Sequence, residues 1–95
     1  MAEVVWARPA FEDLREVHRF IARDSKRFAD ITIRRIRSAA RRLARFPMSG
    51  RPVPELPDLP HREILVGDYR VLYRYSADRL QVLVLAVVHG RRVLS

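Results

Sequence analysis

The stretch HREILVGDYRVLYRYSADRLQVLVLAVVH, residues 61–89, decides the fold of this chain. From His61 the pattern of apolar residues switches to a period of two, which predicts one β-strand from His61 to Val66 and another from Tyr69 to Tyr75. Between them, Gly67-Asp68 is typical of a two-residue hairpin turn. The nearly all-apolar run from Leu80 to Val88 predicts a third strand that lies inside the sheet.

The predicted turn also gives the register of the hairpin. A two-residue turn places Val66 opposite Tyr69 and Ile64 opposite Val71. Since Ile64, Val66 and Val71 are apolar, we expect their face of the sheet to pack on helices. If no bulge interrupts the last strand, the opposite, open face carries the polar side chains of Arg70, Arg74 and His89.

Two amphipathic helices are predicted upstream of this hairpin. A short strand, Glu3 to Trp6, leads to Pro9, which suits the first turn of a helix. That helix ends near Asp24-Ser25, where either side chain can cap the next one. The second helix has an apolar stripe from Ala29 to Leu43 and stops before the proline-rich connector 47–60. The fold class is therefore α+β, with an antiparallel helical hairpin on one face of a mainly antiparallel sheet.

Composition restricts the class of protein. The 95 residues are enough for one domain, which we predict to cover residues 1–95. The absence of cysteine excludes disulfide bonds and fits a reducing compartment. The N-terminus has no signal-peptide pattern, and the longest apolar run, Val82 to Val88, is too short to span a bilayer. We therefore expect a cytoplasmic protein with no membrane partner.

The charge favours an anionic partner. Lysine and arginine number 19 against 11 acidic residues, which gives a net charge of +8, and Lys26 is the one lysine. Such a balance favours nucleic acid or an acidic protein segment as partner. The second helix carries the arginines on one face, which is either simply solvated or grips such a partner: Arg34, Arg35, Arg37, Arg41, Arg42 and Arg45.

Several motifs occur in a characteristic order along the chain: Gly50-Arg51-Pro52 with Pro54-Glu55-Leu56, then Arg62-Glu63-Ile64, then Tyr69 to Arg74, then Val88-His89-Gly90-Arg91-Arg92. This order resembles the RelE/ParE superfamily of toxins from type II toxin–antitoxin systems, and the resemblance covers nearly the whole chain. It implies a RelE-like fold, inhibition of growth, a role in plasmid stabilization, and a cognate antitoxin that wraps and neutralises the toxin.

The resemblance leaves the activity open. ParE-like toxins poison DNA gyrase, and the ending His89 to Arg92 with the scarcity of lysine is more similar to this branch. RelE-like toxins cut messenger RNA on the ribosome. A third alternative is a non-toxic module that binds only an antitoxin or nucleic acid.

If the chain is RelE-like, the resemblance implies catalytic roles for three residues. Arg70 would hold the scissile phosphate in the transition state. His89 would transfer a proton, and Glu55 could serve as a general base. Each also has a structural alternative, in which Arg70 is a surface arginine paired with Glu63 or Glu55, His89 is a capped, structural histidine, and Glu55 pairs with an arginine.

Four other arginines are candidates for binding nucleic acid or a protein partner: Arg62, Arg74, Arg91 and Arg92. For Arg91 and Arg92, simple solvation is the alternative to contact with phosphate. The three histidines are scattered along the sequence, and no glycine-rich phosphate loop is present. We therefore expect no metal site and no cofactor.

Overall fold

Two helices pack on one face of a five-stranded sheet, as the sequence predicts for an α+β fold. The computed structural model describes residues 1–94. Its elements are β1 (Glu3–Trp6), α1 (Arg8–Ala22), α2 (Lys26–Arg42), β2 (Arg51–Pro52), β3 (Arg62–Val66), β4 (Tyr69–Ser76) and β5 (Gln81–His89). The strand order is β1-β5-β4-β3-β2, with β1 parallel to β5 and the other pairs antiparallel. The sheet is therefore mixed, and β5 is an interior strand.

Local sequence signals set the ends of the two helices. Pro9 occupies the first turn of α1, where a missing N–H leaves no hydrogen bond unmade. Ser25 has extended backbone dihedrals, and its Oγ accepts a hydrogen bond of 3.1 Å from the N–H of Phe28. Ser25 is therefore the N-cap of α2, one of the two residues that the sequence offers for this position.

The hairpin formed by β3 and β4 has the predicted register. Val66 pairs with Tyr69 and Ile64 pairs with Val71 around the turn at Gly67. Gly67 has a φ of 56°, a left-handed conformation that glycine adopts without a Cβ penalty. The predicted inward face packs on the helices, with Val71 fully buried in the main core beside Ile36 of α2.

A bulge in β5 changes the expected face of its C-terminal half. Leu72 pairs with Ala86, whereas Tyr73 pairs with Val84, so Leu85 is an extra residue in β5. One extra residue reverses the alternation of side chains beyond it. Val87 consequently lies in the helix-facing core. The prediction that His89 shares the open face with Arg70 and Arg74 was therefore wrong.

Two further boundaries differ from the sequence prediction. Leu80, predicted to begin the last strand, is exposed in the preceding turn with a φ of 49°, and β5 begins at Gln81. The connector 47–60 contains the short strand β2, in which Arg51 and Pro52 pair with Glu63 and Arg62. A proline is tolerated there because β2 is an edge strand.

The face of the sheet opposite the helices is partly covered. A small second core contains Val53 from the connector, Leu72 from β4 and Val88 from β5, with Leu94 packed against it. The connector and the C-terminal tail, residues 90–94, therefore fold over this face. This covering layer determines the environment of Arg70.

Candidate functional site

The Arg70 side chain is buried in an ion-pair network under the C-terminal tail. Arg70 lies on the open face of β4, yet it is only 4% exposed. Its Nε and Nη2 atoms donate to Glu63 Oε1 over 2.9 and 2.6 Å. Its Nη1 and Nη2 atoms donate to the two carboxylate oxygens of Glu55 over 2.7 and 2.6 Å, and Nη1 also donates to the carbonyl of Arg92 over 2.9 Å. All five N–H donors of the guanidinium are thus used inside the protein.

Glu63 is the buried centre of this network. It is 1% exposed and lies on β3 diagonal to Arg70. Its second oxygen, Oε2, accepts from Nε of Arg51 over 2.7 Å. Arg51 lies directly opposite Glu63 on β2, and its side chain is half exposed. The short strand β2 therefore supplies a second guanidinium, which pairs with the remaining oxygen of a carboxylate that is costly to bury.

Glu55 connects the network to the tail. Its Oε2 atom also accepts a hydrogen bond of 3.1 Å from the N–H of Leu94. The hydrogen bonds from Arg70, and then the one from Leu94, lower the pKa of the Glu55 carboxyl from 4.5 to about 2. Hydrogen bonding with Glu55 in turn raises the pKa of Arg70 above its usual value. Glu55 and Arg70 therefore form an ion pair at neutral pH.

His89 lies apart from this network. It pairs with Tyr69, on the side of the sheet that faces the helices, and the two rings meet edge to face with their centroids 5.6 Å apart. Its Nδ1 atom accepts a hydrogen bond of 3.2 Å from the N–H of Arg91. Of the three residues that the RelE resemblance nominates, the structure joins Arg70 and Glu55 by hydrogen bonds and places His89 on the other face of the sheet. At the end of the sheet, His89 and Arg70 nevertheless line one pocket of about 260 Å³.

A basic groove lies between α2 and β3. We use this term for the channel bordered by Arg27, Arg34, Arg35 and Arg42 of α2 and by Leu65 and Val66 of β3. Lys26 and Asp30 also line the groove, and their side chains form an ion pair of 3.0 Å. Of the six arginines that the sequence places on one face of α2, Arg34, Arg35 and Arg42 border the groove. Arg37 lies instead beside α1, and the β3 residues that complete the groove were not predicted from the sequence.

A family model described as the ParE toxin of the type II toxin–antitoxin system, parDE, matches residues 4–94. The chain belongs to the ParE toxin family. A toxin with a cognate antitoxin as partner is the function that this membership supports. Comparison with curated proteins gives no significant match.

Solved toxin structures share the fold of this ParE-family chain. A chain of the chromosomal ParDE system from P. aeruginosa superposes with a TM-score of 0.76 at 16% identity, covering 94% of this chain and 96% of that one. A chain of the RelBE2 complex from Mycobacterium tuberculosis gives 0.68 at 23% identity, with coverages of 93% and 96%. A chain of the intact E. coli RelBE complex gives 0.69 at 12% identity, with coverages of 97% and 100%. These likenesses establish the RelE/ParE fold and leave the target of the toxin open.

The four arginines predicted to bind a partner have different environments in this ParE-family chain. Arg62 is half-buried, and its Nη1 atom donates to the carbonyl of Gly50 over 2.6 Å. Arg74, Arg91 and Arg92 are exposed, and none of their side chains forms an ion pair with residues 1–94. Three of the four side chains are thus accessible to a partner, whereas Arg62 holds the connector.

Within residues 1–94, no three histidine or acidic side chains are grouped closely enough to hold a metal ion. Across the same residues, neither helix has the length and apolar character needed to cross a membrane. The buried network and the basic groove are therefore candidate functional sites.

Proposed function

We propose that this ParE-family toxin acts by binding DNA gyrase, with no bond-breaking chemistry of its own, and that its cognate antitoxin neutralises it. One observation carries the proposal: every N–H of the Arg70 guanidinium is already bonded to Glu55, Glu63 or the carbonyl of Arg92. A phosphate in a transition state needs donors that are free to reach it.

The other two nuclease candidates support the same proposal. A carboxyl with a pKa of about 2, such as Glu55, is a poor general base near neutral pH, where proton transfer favours a group that titrates close to the working pH. His89 projects from the face of the sheet opposite to Arg70, and no hydrogen bond links the two side chains within residues 1–94. Both side chains line a small pocket at the end of the sheet, but Glu55 does not. The three residues therefore form no hydrogen-bonded acid–base set within residues 1–94.

The exposed arginines supply the charge for a binding mechanism. Arg74 lies on β4, and Arg91 and Arg92 lie in the tail, whose position the network maintains. A positively charged surface attracts an acidic protein region or the DNA held by a topoisomerase, and salt weakens such an attraction. We therefore assign target contact to these three arginines and a supporting role to Arg70.

Two assays on the purified toxin test the proposal. The first measures supercoiling by gyrase, and the second measures translation together with cleavage of messenger RNA on ribosomes. We expect inhibited supercoiling and intact messenger RNA. Replacing Arg74, Arg91 and Arg92 together by Gln should weaken the inhibition at least tenfold, by analogy with lost contacts at an interface centre.

Two results would contradict the gyrase proposal. Cleaved messenger RNA with normal supercoiling would assign the chain to the RelE-like endoribonucleases. The absence of both effects would leave a non-toxic module that binds antitoxin or nucleic acid. Replacing Arg8, Arg15 and Arg79 together by Gln serves as the control for charge alone, because all three are exposed and lie outside both the tail and β4.

A further inference from the structure

An aromatic pocket lies where the loop between the two helices meets the turn between β3 and β4. Its walls are Phe20 of α1 and Phe28 of α2, which are 65% and 56% exposed. Tyr69 and His89, in edge-to-face contact, line its inner side. The pocket exists in this form because the bulge in β5 turns His89 toward the helices.

Exposure of the two phenylalanines to water is unfavourable, and the fold does not require it. Large apolar side chains that lie together on a surface usually mark a place where another molecule binds. The pocket has a volume of about 330 Å³. This volume is near the lower limit for small-molecule sites, roughly 300–1,000 Å³, and it suits one bulky side chain better than a cofactor.

The aromatic pocket is continuous with the basic groove. Arg35, Val66 and Gly67 line both. The Arg35 guanidinium reaches the turn, since its Nη1 atom is 3.8 Å from the position that a Cβ on Gly67 would occupy. A partner that lies in the groove can therefore place a side chain in the pocket without leaving the surface.

Charge distinguishes the ends of this combined surface. The groove is bordered by four arginines, and its one carboxylate, Asp30, is paired with both His18 and Lys26. The pocket, in contrast, is lined by two carboxylates, Asp24 and Asp68, and by Arg35 as its one arginine. A nucleic acid carries phosphate next to every base, so a base in this pocket would bring phosphate toward two carboxylates. A peptide can combine acidic residues for the groove with an uncharged side chain for the pocket.

We propose that the basic groove and the aromatic pocket form one docking site for an acidic segment of the cognate antitoxin, which anchors a single bulky apolar side chain between Phe20 and Phe28. This inference rests on the proposed function only in taking the antitoxin as the partner. The arginines accelerate and strengthen binding through charge, whereas the pocket contributes a contact that does not depend on salt.

Titration of the full-length toxin with the full-length cognate antitoxin at about 50 mM and about 300 mM salt separates these two contributions. Phe28→Ser should weaken binding at least tenfold, by a similar factor at both salt concentrations. Phe20→Ser should have the same effect. Phe11→Ser is the matched control, since Phe11 is 52% exposed on α1 but lies outside the pocket. Because all three side chains are exposed, thermal unfolding should be nearly unchanged.

Variants of the groove should affect binding with a different dependence on salt. Replacing Arg34 and Arg42 by Gln should weaken binding at low salt and have much less effect at high salt, because salt already screens exposed charges. The control is the same change at Arg8 and Arg79, two exposed arginines outside the groove. This double control loses the same two charges as the groove variant. It should bind the antitoxin within about twofold of the wild-type affinity.

Three outcomes would overturn the inference. In the first, Phe28→Ser binds the antitoxin as tightly as Phe11→Ser. In the second, the antitoxin does not bind the wild-type toxin. In the third, a single-stranded RNA of about 12 nucleotides binds the wild type and loses affinity in both the pocket and the groove variants, which would make the site a nucleic-acid site. Inhibition of gyrase by the Phe28→Ser toxin is measured separately, without antitoxin. A failure of the proposed function can then be told apart from a failure of this inference.

Discussion

The Oδ2 atom of Asp13 on α1 accepts a hydrogen bond of 3.0 Å from the backbone N–H of Val87 on β5, 74 positions further along the chain. This N–H lies just beyond the bulge at Leu85, where the pairing of β4 with β5 is interrupted. Because Val87 is 3% exposed, water could not easily replace the carboxylate. Asp13 thus compensates for the bulge that turns His89 toward the helices.

Removing this acceptor should destabilise the fold. We expect Asp13→Ala to lower the free energy of unfolding by about 1–3 kcal/mol, because a buried donor is left without a partner. Asp13→Asn keeps a side-chain oxygen and should lose less. Urea unfolding measures both changes. Glu12→Ala is the control, since Glu12 makes only an exposed pair with Arg8. Equal stability of Asp13→Ala and Glu12→Ala would show that the contact is unimportant.

Replacing Arg70 should affect the fold before it affects any activity. Arg70→Ala leaves Glu63 buried with Arg51 as its remaining partner, and breaking a buried pair costs about 3–5 kcal/mol. Arg74→Ala, on the same face of the same strand but exposed, should change stability by less than about 0.5 kcal/mol. Denaturant unfolding distinguishes the two. A fully stable Arg70→Ala protein would contradict the structural role. Loss of toxicity in this variant is therefore no evidence of catalysis unless folding is measured.

The pH dependence of the Glu55 contacts has a definite sign. Glu55 has a lowered pKa in the folded state, so its ionised form stabilises the fold above pH 4.5, and this contribution is lost as the pH falls from 4.5 to about 2. Glu55→Gln should be less stable than wild type at neutral pH, and the difference should shrink through this window. Unfolding measured at several pH values gives the difference directly. A difference that stays constant down to about pH 2 would exclude the carboxylate as its source.

The hydroxyl of Tyr73 should fasten the connector to the sheet. It donates to the carbonyl of Pro47 over 2.7 Å and accepts from the N–H of Gly50 over 2.9 Å, and Tyr73 is fully buried. Tyr73→Phe leaves two backbone groups unpaired and should cost about 1–3 kcal/mol. Tyr75→Phe is the control, because the Tyr75 hydroxyl makes no hydrogen bond with residues 1–94. Thermal unfolding of the two variants should differ clearly, and equal midpoints would count against this role.

The same hydroxyl explains why position 50 is a glycine. A Cβ at Gly50 would lie 2.6 Å from the Tyr73 hydroxyl and 2.7 Å from the carbonyl oxygen of Glu63. Both distances are far below normal contact, and one neighbour is backbone that cannot easily move. The resemblance to the toxin motif included Gly50, but the reason for it became visible only where β3, β4 and the connector meet.

The sequence by itself determined the parts of this protein that depend on local chemistry. The period of two after His61, the Gly67 turn and the Ser25 cap give the strands, the register of their hairpin and the start of α2, because turn conformation and side-chain alternation act over a few residues. The ordered motifs gave the superfamily, and the net charge of +8 favours an anionic partner. The antiparallel helical hairpin followed from two apolar stripes joined by a short loop.

Only the tertiary structure decided which polar side chains meet. A single extra residue in β5 moves His89 to the other face, and its stabilising contact comes from Asp13, which is distant in sequence. Arg70 could be assigned to the open face, but its burial depends on a connector and a tail that have no periodic pattern. Ion pairs such as Arg70 with Glu55 form between segments brought together by packing, and packing depends on the whole chain. For this reason the sequence predicted where the charges lie along each strand, and the fold determined which of them remain available to a partner.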